Sequence, residues 1–141
     1  KQWYQRRVHG ITRMTSKGAV LFVLASHDKH PNGNPTGWYL PEAAHPYYEV
    51  KPHYDVAWAS VKGGKAPLDP TSAEAFKDDE LCKRFLNDGV VQKDVESTVK
   101  LGDVDTSAYK GVFFVGGHGP MHESKEKAII AKAEEFYQNG K

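Results

Sequence analysis

Two unbroken runs of large apolar residues stand out along the chain: Val20-Leu21-Phe22-Val23-Leu24 and Val112-Phe113-Phe114-Val115. Short continuous runs of β-branched and aromatic side chains predict strands buried on both faces. A third strand is expected over residues 54–61, where Val56, Trp58 and Val61 are interleaved with smaller or polar residues. The first run ends in Ser26-His27-Asp28 and a loop of two prolines, two asparagines and a glycine over residues 30–35. The second ends abruptly in Gly116-Gly117-His118-Gly119.

Helices are expected between these strands. One should run through Trp38, Leu40, Glu42, Ala43 and Ala44, capped by Thr36 or Gly37, with Pro41 in its first turns or at a kink. Another should open at Asp69-Pro70-Thr71-Ser72, where Thr71 and Glu74 have the spacing of a capping box. Residues 78–88 place Leu81, Cys82, Phe85 and Leu86 on one side of a short amphipathic helix. Residues 95–99 carry no clear period, and residues 101–105 read as a loop. The clearest helix is expected over residues 123–139, with Ala128, Ile129, Ala133, Phe136 and Tyr137 on one face and Gly140 as its stop.

Strands alternating with helices predict an α/β fold with a mostly parallel sheet and helices on both faces. Such a sheet usually has about five strands, and three strong ones are legible before Asn139-Gly140-Lys141, so the architecture is expected to be incomplete at its C-terminus. The length of 141 residues, 39% hydrophobic and 26% charged, suits one soluble domain. A formal charge of +1 gives no electrostatic footprint for nucleic acid or an anionic membrane. The longest apolar run, residues 19–25, is too short to span a bilayer. A single cysteine excludes an internal disulfide and suits a reducing, cytoplasmic setting. Residues 1–13 contain Lys1, Arg6, Arg7 and Arg13 and no acid. They read as an extension of unknown origin, with Met14 as a start and residues 14–141 as the domain proper.

The chemistry is expected where the second apolar run stops. In open α/β sheets ligands sit at the C-terminal ends of the strands, and glycine there lets a ligand approach bare backbone. A tight turn without chemistry would use the same residues. Glu42 alone would read as a solvated helix acid. His118 and His122 are four apart with Glu123 next, and His27 and His30 are three apart, but Gly119 and Pro120 interrupt the first pair and the second falls in a loop, so no metal site is expected. His45-Pro46 reads as packing at a helix end, and Cys82 as packing on an apolar stripe. No phosphate-cradling loop follows the first strand, which argues against a flavin or nucleotide.

Four segments in order resemble the ThiJ/PfpI superfamily, of the class I glutamine amidotransferase-like type, in its branch of glyoxalase III enzymes and heat-shock chaperones. They are the first strand with Ser26-His27-Asp28-Lys29, then Thr36-Gly37-Trp38-Tyr39-Leu40-Pro41-Glu42-Ala43-Ala44-His45-Pro46, then Asp69-Pro70-Thr71-Ser72, and Gly116-Gly117-His118-Gly119-Pro120-Met121-His122. The resemblance covers the N-terminal portion of the family domain. It implies a flavodoxin-like three-layer sandwich with a nucleophilic cysteine on a sharp turn and a glutamate beside it.

Glu42 matches that glutamate, the expected catalytic proton carrier. Gly116 and Gly117 match the turn that faces the substrate oxygen, with His118 adding a donor or lining the pocket. The family's cysteine segment, after the last helix, has no counterpart here, and Cys82 lies upstream of the glycine turn. The implied activity is conversion of methylglyoxal to lactate without a cofactor, with the chain inactive on its own. The alternative is a holding chaperone or interaction module that uses an exposed sheet edge. Expected partners are accordingly a small aldehyde, unfolded protein clients, and a second copy or a C-terminal half; no nucleic acid or membrane partner is expected.

Overall fold

The first apolar run forms the centre of the sheet. A computed structural model of the protein describes residues 17–141; the expected extension over residues 1–13 and the start at Met14 lie outside them. Strand β1 (Ala19–Leu24) pairs in parallel with β2 (Asp55–Ser60) on one side and β4 (Tyr109–Phe114) on the other, and β2 pairs in parallel with β3 (Val99–Lys100). The order β3-β2-β1-β4 makes an all-parallel four-stranded sheet.

Because successive strand residues point to opposite faces, β1 supplies both cores. Phe22 and Leu24 join Trp38, Trp58 and Phe85 beneath helices α1 (Leu40–Val50), α3 (Glu80–Asn87) and α4 (Gly89–Glu96). Leu21 and Val23 face the other way, towards Ala59, Leu101, Val104 and Phe136 of α6 (Lys127–Gln138). The result is the expected three-layer α/β arrangement.

Several details differ from the sequence reading. Val112, Phe113 and Phe114 are not buried on both faces: β4 pairs only with β1 among the described residues, and Phe113 and Phe114 are 36% and 37% exposed. A run of apolar residues cannot distinguish a central strand from an edge strand, because both bury at least one face. The region expected to be ambiguous supplies β3. It is held by the Ser60–Thr98 hydroxyl pair at 2.7 Å and a bridge between Gly64 and Thr98.

Helix α1 begins later than expected, at Leu40, whose N–H donates to Ser72 Oγ at 3.1 Å, so neither Thr36 nor Gly37 caps it. Pro41 does lie in its first turn. The helix then runs on through Pro46 to Val50, so His45-Pro46 is interior rather than terminal. Pro46 has no N–H to offer the Glu42 carbonyl one turn back, yet Tyr47 beyond it is buried against Trp58 and Phe85. Burial of that aromatic face holds the helix past its proline.

At α2 (Pro70–Ala75) the cap is Asp69, whose Oδ1 accepts from Thr71 N–H at 2.8 Å, while Glu74 pairs with Lys77. The helix expected over residues 123–139 begins only at Lys127, as α6; Glu123 instead closes a separate helix, α5 (His118–Glu123), with residues 124–126 between them. On α6 Phe136 is buried, Ala128, Ile129 and Ala133 are half-buried, and Tyr137 is 85% exposed.

Phe85 sits at the hub of the larger core, its ring 5.5 Å from that of Tyr47, 5.8 Å from Trp58 and 6.0 Å from Trp38. Phe85→Ala is expected to destabilise the chain by about 3–5 kcal/mol in urea denaturation, because the ring is fully buried and its neighbours cannot collapse into the space.

Candidate functional site

The chain crosses from one side of β1 to the other when it passes from β3 to β4. The C-terminal ends of β1 and β4 therefore flank the sheet's topological switch point, where diverging loops open a crevice. Two segments leave that point, residues 25–36 after β1 and the glycine turn after β4. A third, residues 37–39, is inserted beside them.

Residues 37–39 are pinned from both sides. Trp38 N–H donates to Pro67 C=O at 2.9 Å and Trp38 C=O accepts from Asp69 N–H at 3.0 Å. On the other side Tyr39 N–H donates to Gly116 C=O at 3.0 Å, and Gly119 N–H to Gly37 C=O at 3.1 Å. Glycine is required for this approach. A Cβ on Gly37 would lie 2.0 Å from the Pro67 carbonyl oxygen, and Gly117, at φ +122°, would place one 2.9 Å from both Gly37 O and Tyr39 N.

The seam sets the first turn of α1 against the end of β4. Glu42 is exposed, and its carboxylate lies over Gly116: a Cβ there would stand 2.0 Å from Glu42 Oε2. The structure thus brings Glu42 and Gly116 together, with Gly117 adjoining. His118 lies beyond, its Nδ1 3.8 Å from Asp69 Oδ2. Burial works to raise the Asp69 carboxyl. Hydrogen bonds from Thr71 and Ser72, with His118 nearby, outweigh it and hold the group below the ordinary carboxylate value.

A second group lies on the other side of the switch point. Pro120 falls within the first turn of α5, where its missing N–H costs little, so the expectation that Gly119-Pro120 would separate His118 from His122 does not hold. The His27 ring stacks on His122 at 4.4 Å, and His30 sits edge-on to both His118 and His122 at 5.5 Å. Local desolvation, with the charges of His27, His30 and His118, lowers the pKa of the exposed His122. Glu123, which follows the His118 and His122 pair in the sequence, is buried and accepts the Ser26 N–H at 3.0 Å on both oxygens. Burial raises its pKa despite that bond. A cavity of about 420 Å³ opens here, lined by His27, Val61, Lys62, Lys100, His122 and Glu123; Glu42 and Gly116 are not among its walls.

Cys82 packs where its apolar stripe predicts, fully buried on α3. Its ligand atom lies within 4.8 Å of those of His45 and Asp79, but the trio is a helix cap. Asp79 Oδ1 accepts the Cys82 N–H at 2.8 Å and pairs with His45 Nε2 at 3.0 Å. Burial, with the Asp79 carboxylate beside it, pushes the Cys82 thiol up to about 12, which suits neither a nucleophile nor a metal ligand.

Solved structures were found that share this fold. Rapid Encystment Protein 24 kDa of Francisella tularensis is 30% identical, with a TM-score of 0.79 over 86% of this chain and 55% of that one; it is a ThiJ/PfpI family member. Glyoxalase III of Candida albicans is 26% identical, with a TM-score of 0.75 over 89% of this chain and 55% of that one. The chain is ThiJ/PfpI-like in fold as in motif. The chain spans about half the length of these solved structures, as a partial domain of this family would. No family model and no curated protein sequence matches the ThiJ/PfpI-like chain. Among the described residues no helix is long and apolar enough to cross a membrane.

The α3 cap yields a signed pH dependence. The Cys82 N–H and His45 lower the Asp79 carboxyl from 3.8 to about 2, so its stabilisation is full above the unfolded value and is lost as pH falls towards 2. Asp79→Asn should lower the melting temperature at neutral pH and shrink the difference from wild type between pH 4 and pH 2, as followed by circular dichroism.

Proposed function

We propose that the chain carries the proton-transfer half of a cofactor-independent glyoxalase-type site for small 2-oxoaldehydes, with methylglyoxal converted to lactate. The observation that carries this reading is the placement of the Glu42 carboxylate over Gly116 at the sheet's switch point. A carboxylate fixed there can take a proton from one carbon of a bound 2-oxoaldehyde adduct and return it to the next. The glycine turn beside it admits the substrate oxygen close to the main chain. The likeness to Candida glyoxalase III over 89% of the chain supports the same substrate class.

The covalent step in such a site needs a reactive thiolate. Cys82, the only cysteine of the 141 residues, is buried with its thiol pushed up to about 12. In this reading the nucleophile is a thiol other than Cys82, supplied from outside these residues.

A second reading, a holding chaperone, is favoured by one observation: among the described residues β4 lies at the sheet edge, with Phe113 and Phe114 more than a third exposed. Such a surface can take up unfolded segments by pairing and apolar contact.

The test is a chimera in which this chain replaces the matching part of Candida glyoxalase III, assayed for lactate formed from methylglyoxal. Turnover is expected, and Glu42→Gln should lower kcat by roughly a hundredfold or more. A folded chimera whose turnover is unmoved by Glu42→Gln would overturn the assignment. The chain by itself is expected to form no lactate. If it instead suppresses aggregation of a heated client and loses that ability in Phe113→Ser/Phe114→Ser, the chaperone reading gains the weight.

A further inference from the structure

We propose that His27, His30, His118 and His122 form a binding site for a zinc-type divalent cation on the side of the switch point away from Glu42. Four of the chain's seven histidines meet there, and they come from two separate segments. The loop after β1 supplies His27 and His30; helix α5 supplies His118 and His122, four residues apart and so on one helix face.

The decisive distance is between His30 Nδ1 and His122 Nε2, 3.4 Å. Two imidazole nitrogens bound to one tetrahedral zinc at ~2.0–2.1 Å stand ~3.3–3.4 Å apart. This pair is already at ligand separation. A simple hydrogen bond between two neutral imidazoles would account for that distance, but not for the gathering of two further rings around it.

His27 and His118 touch the pair by ring faces and edges; their nitrogens do not stand at ligand separation as placed, and binding would turn one nitrogen of each inward about the side-chain bonds. Both rings are at least partly exposed, and His118 is held by the 3.8 Å contact to Asp69 and the edge contact to His30. The loop that presents the other side is firmly built. His30 N–H donates to Asn34 C=O at 2.8 Å, His30 C=O accepts from Gly33 N–H at 2.8 Å, and Lys29 and Pro35 form an antiparallel bridge.

Imidazole donors select zinc, copper or nickel over calcium or magnesium. Two of the four, His27 and His122, also line the adjoining cavity, so an ion could reach the cluster from that side; with all four rings bound, a tetrahedral zinc would be coordinatively complete.

The test is titration of the 141-residue protein with zinc chloride in a calorimeter, in a non-chelating buffer at mildly alkaline pH. One equivalent is expected to bind saturably. His30→Ala and His122→Ala should each weaken binding at least about tenfold, the effect expected when a metal site loses a supporting group or more. His45→Ala, in the remote Asp79–Cys82 cap, should leave binding unchanged and serves as the control. Melting curves of the metal-free variants should match wild type, since neither ring is part of the core. Absence of saturable binding, binding unmoved by both histidine variants, or loss in His45→Ala would each overturn the site. The outcome is independent of whether the chimera turns over methylglyoxal.

Discussion

The close approach of bare backbone at Gly37 governs how the rest of the molecule is arranged. Residues 37–39 are squeezed between the Pro67–Asp69 segment and the glycine turn after β4, with main-chain hydrogen bonds on both sides. No residue with a Cβ fits at position 37, because the Pro67 carbonyl oxygen occupies that space. That seam orients the first turn of α1, and so decides which atoms Glu42 can reach. It also ties the start of α5 to the body of the domain through the Gly119 N–H.

The seam lies at the sheet's C-terminal edge because of how β1 is used. Its residues feed two cores alternately, which places β1 at the centre and sends the chain from β3 across to β4. The segments that follow β1 and β4 must then diverge, and both groups of polar residues lie on them or on the helices they lead into, α1 and α5. Glu42 over Gly116 occupies one side. The four histidines and the buried Glu123 occupy the other, where Glu123 clamps the Ser26 N–H at the end of β1. Charge and hydrogen-bond capacity are thus concentrated where the fold leaves an opening, while Cys82 and Asp79 are spent on packing and capping α3.

Much of this was legible in the residues. The apolar runs located β1 and β4, Pro41 marked the first turn of α1, and the stripe through Cys82 and Phe85 marked the buried face of α3. What escaped the sequence depended on neighbours distant along the chain. Periodicity carries no information on whether β4 has one partner or two, so the exposure of Phe113 and Phe114 could not be read from it. Pro46 looked like a terminus because its effect on the backbone is local, whereas burial of Tyr47 against Trp58 and Phe85 is tertiary. The histidine pairs looked separate because Gly119 and Pro120 usually break helices; in a first turn they do not. Glu123 was visible only as the acid beside the His118 and His122 pair; its burial and its partner, the Ser26 N–H 97 positions away, were not.

Amide hydrogen exchange in Gly37→Ala is the most direct test of the seam. If the backbone contact at Gly37 fixes the site, the amides of Trp38, Tyr39, Asp69 and Gly119 should lose protection together, while those within β1 and β2 keep it. Retention of wild-type protection at Tyr39 and Gly119 in a folded Gly37→Ala chain would contradict it, and Glu42 would then owe its position to α1 packing alone.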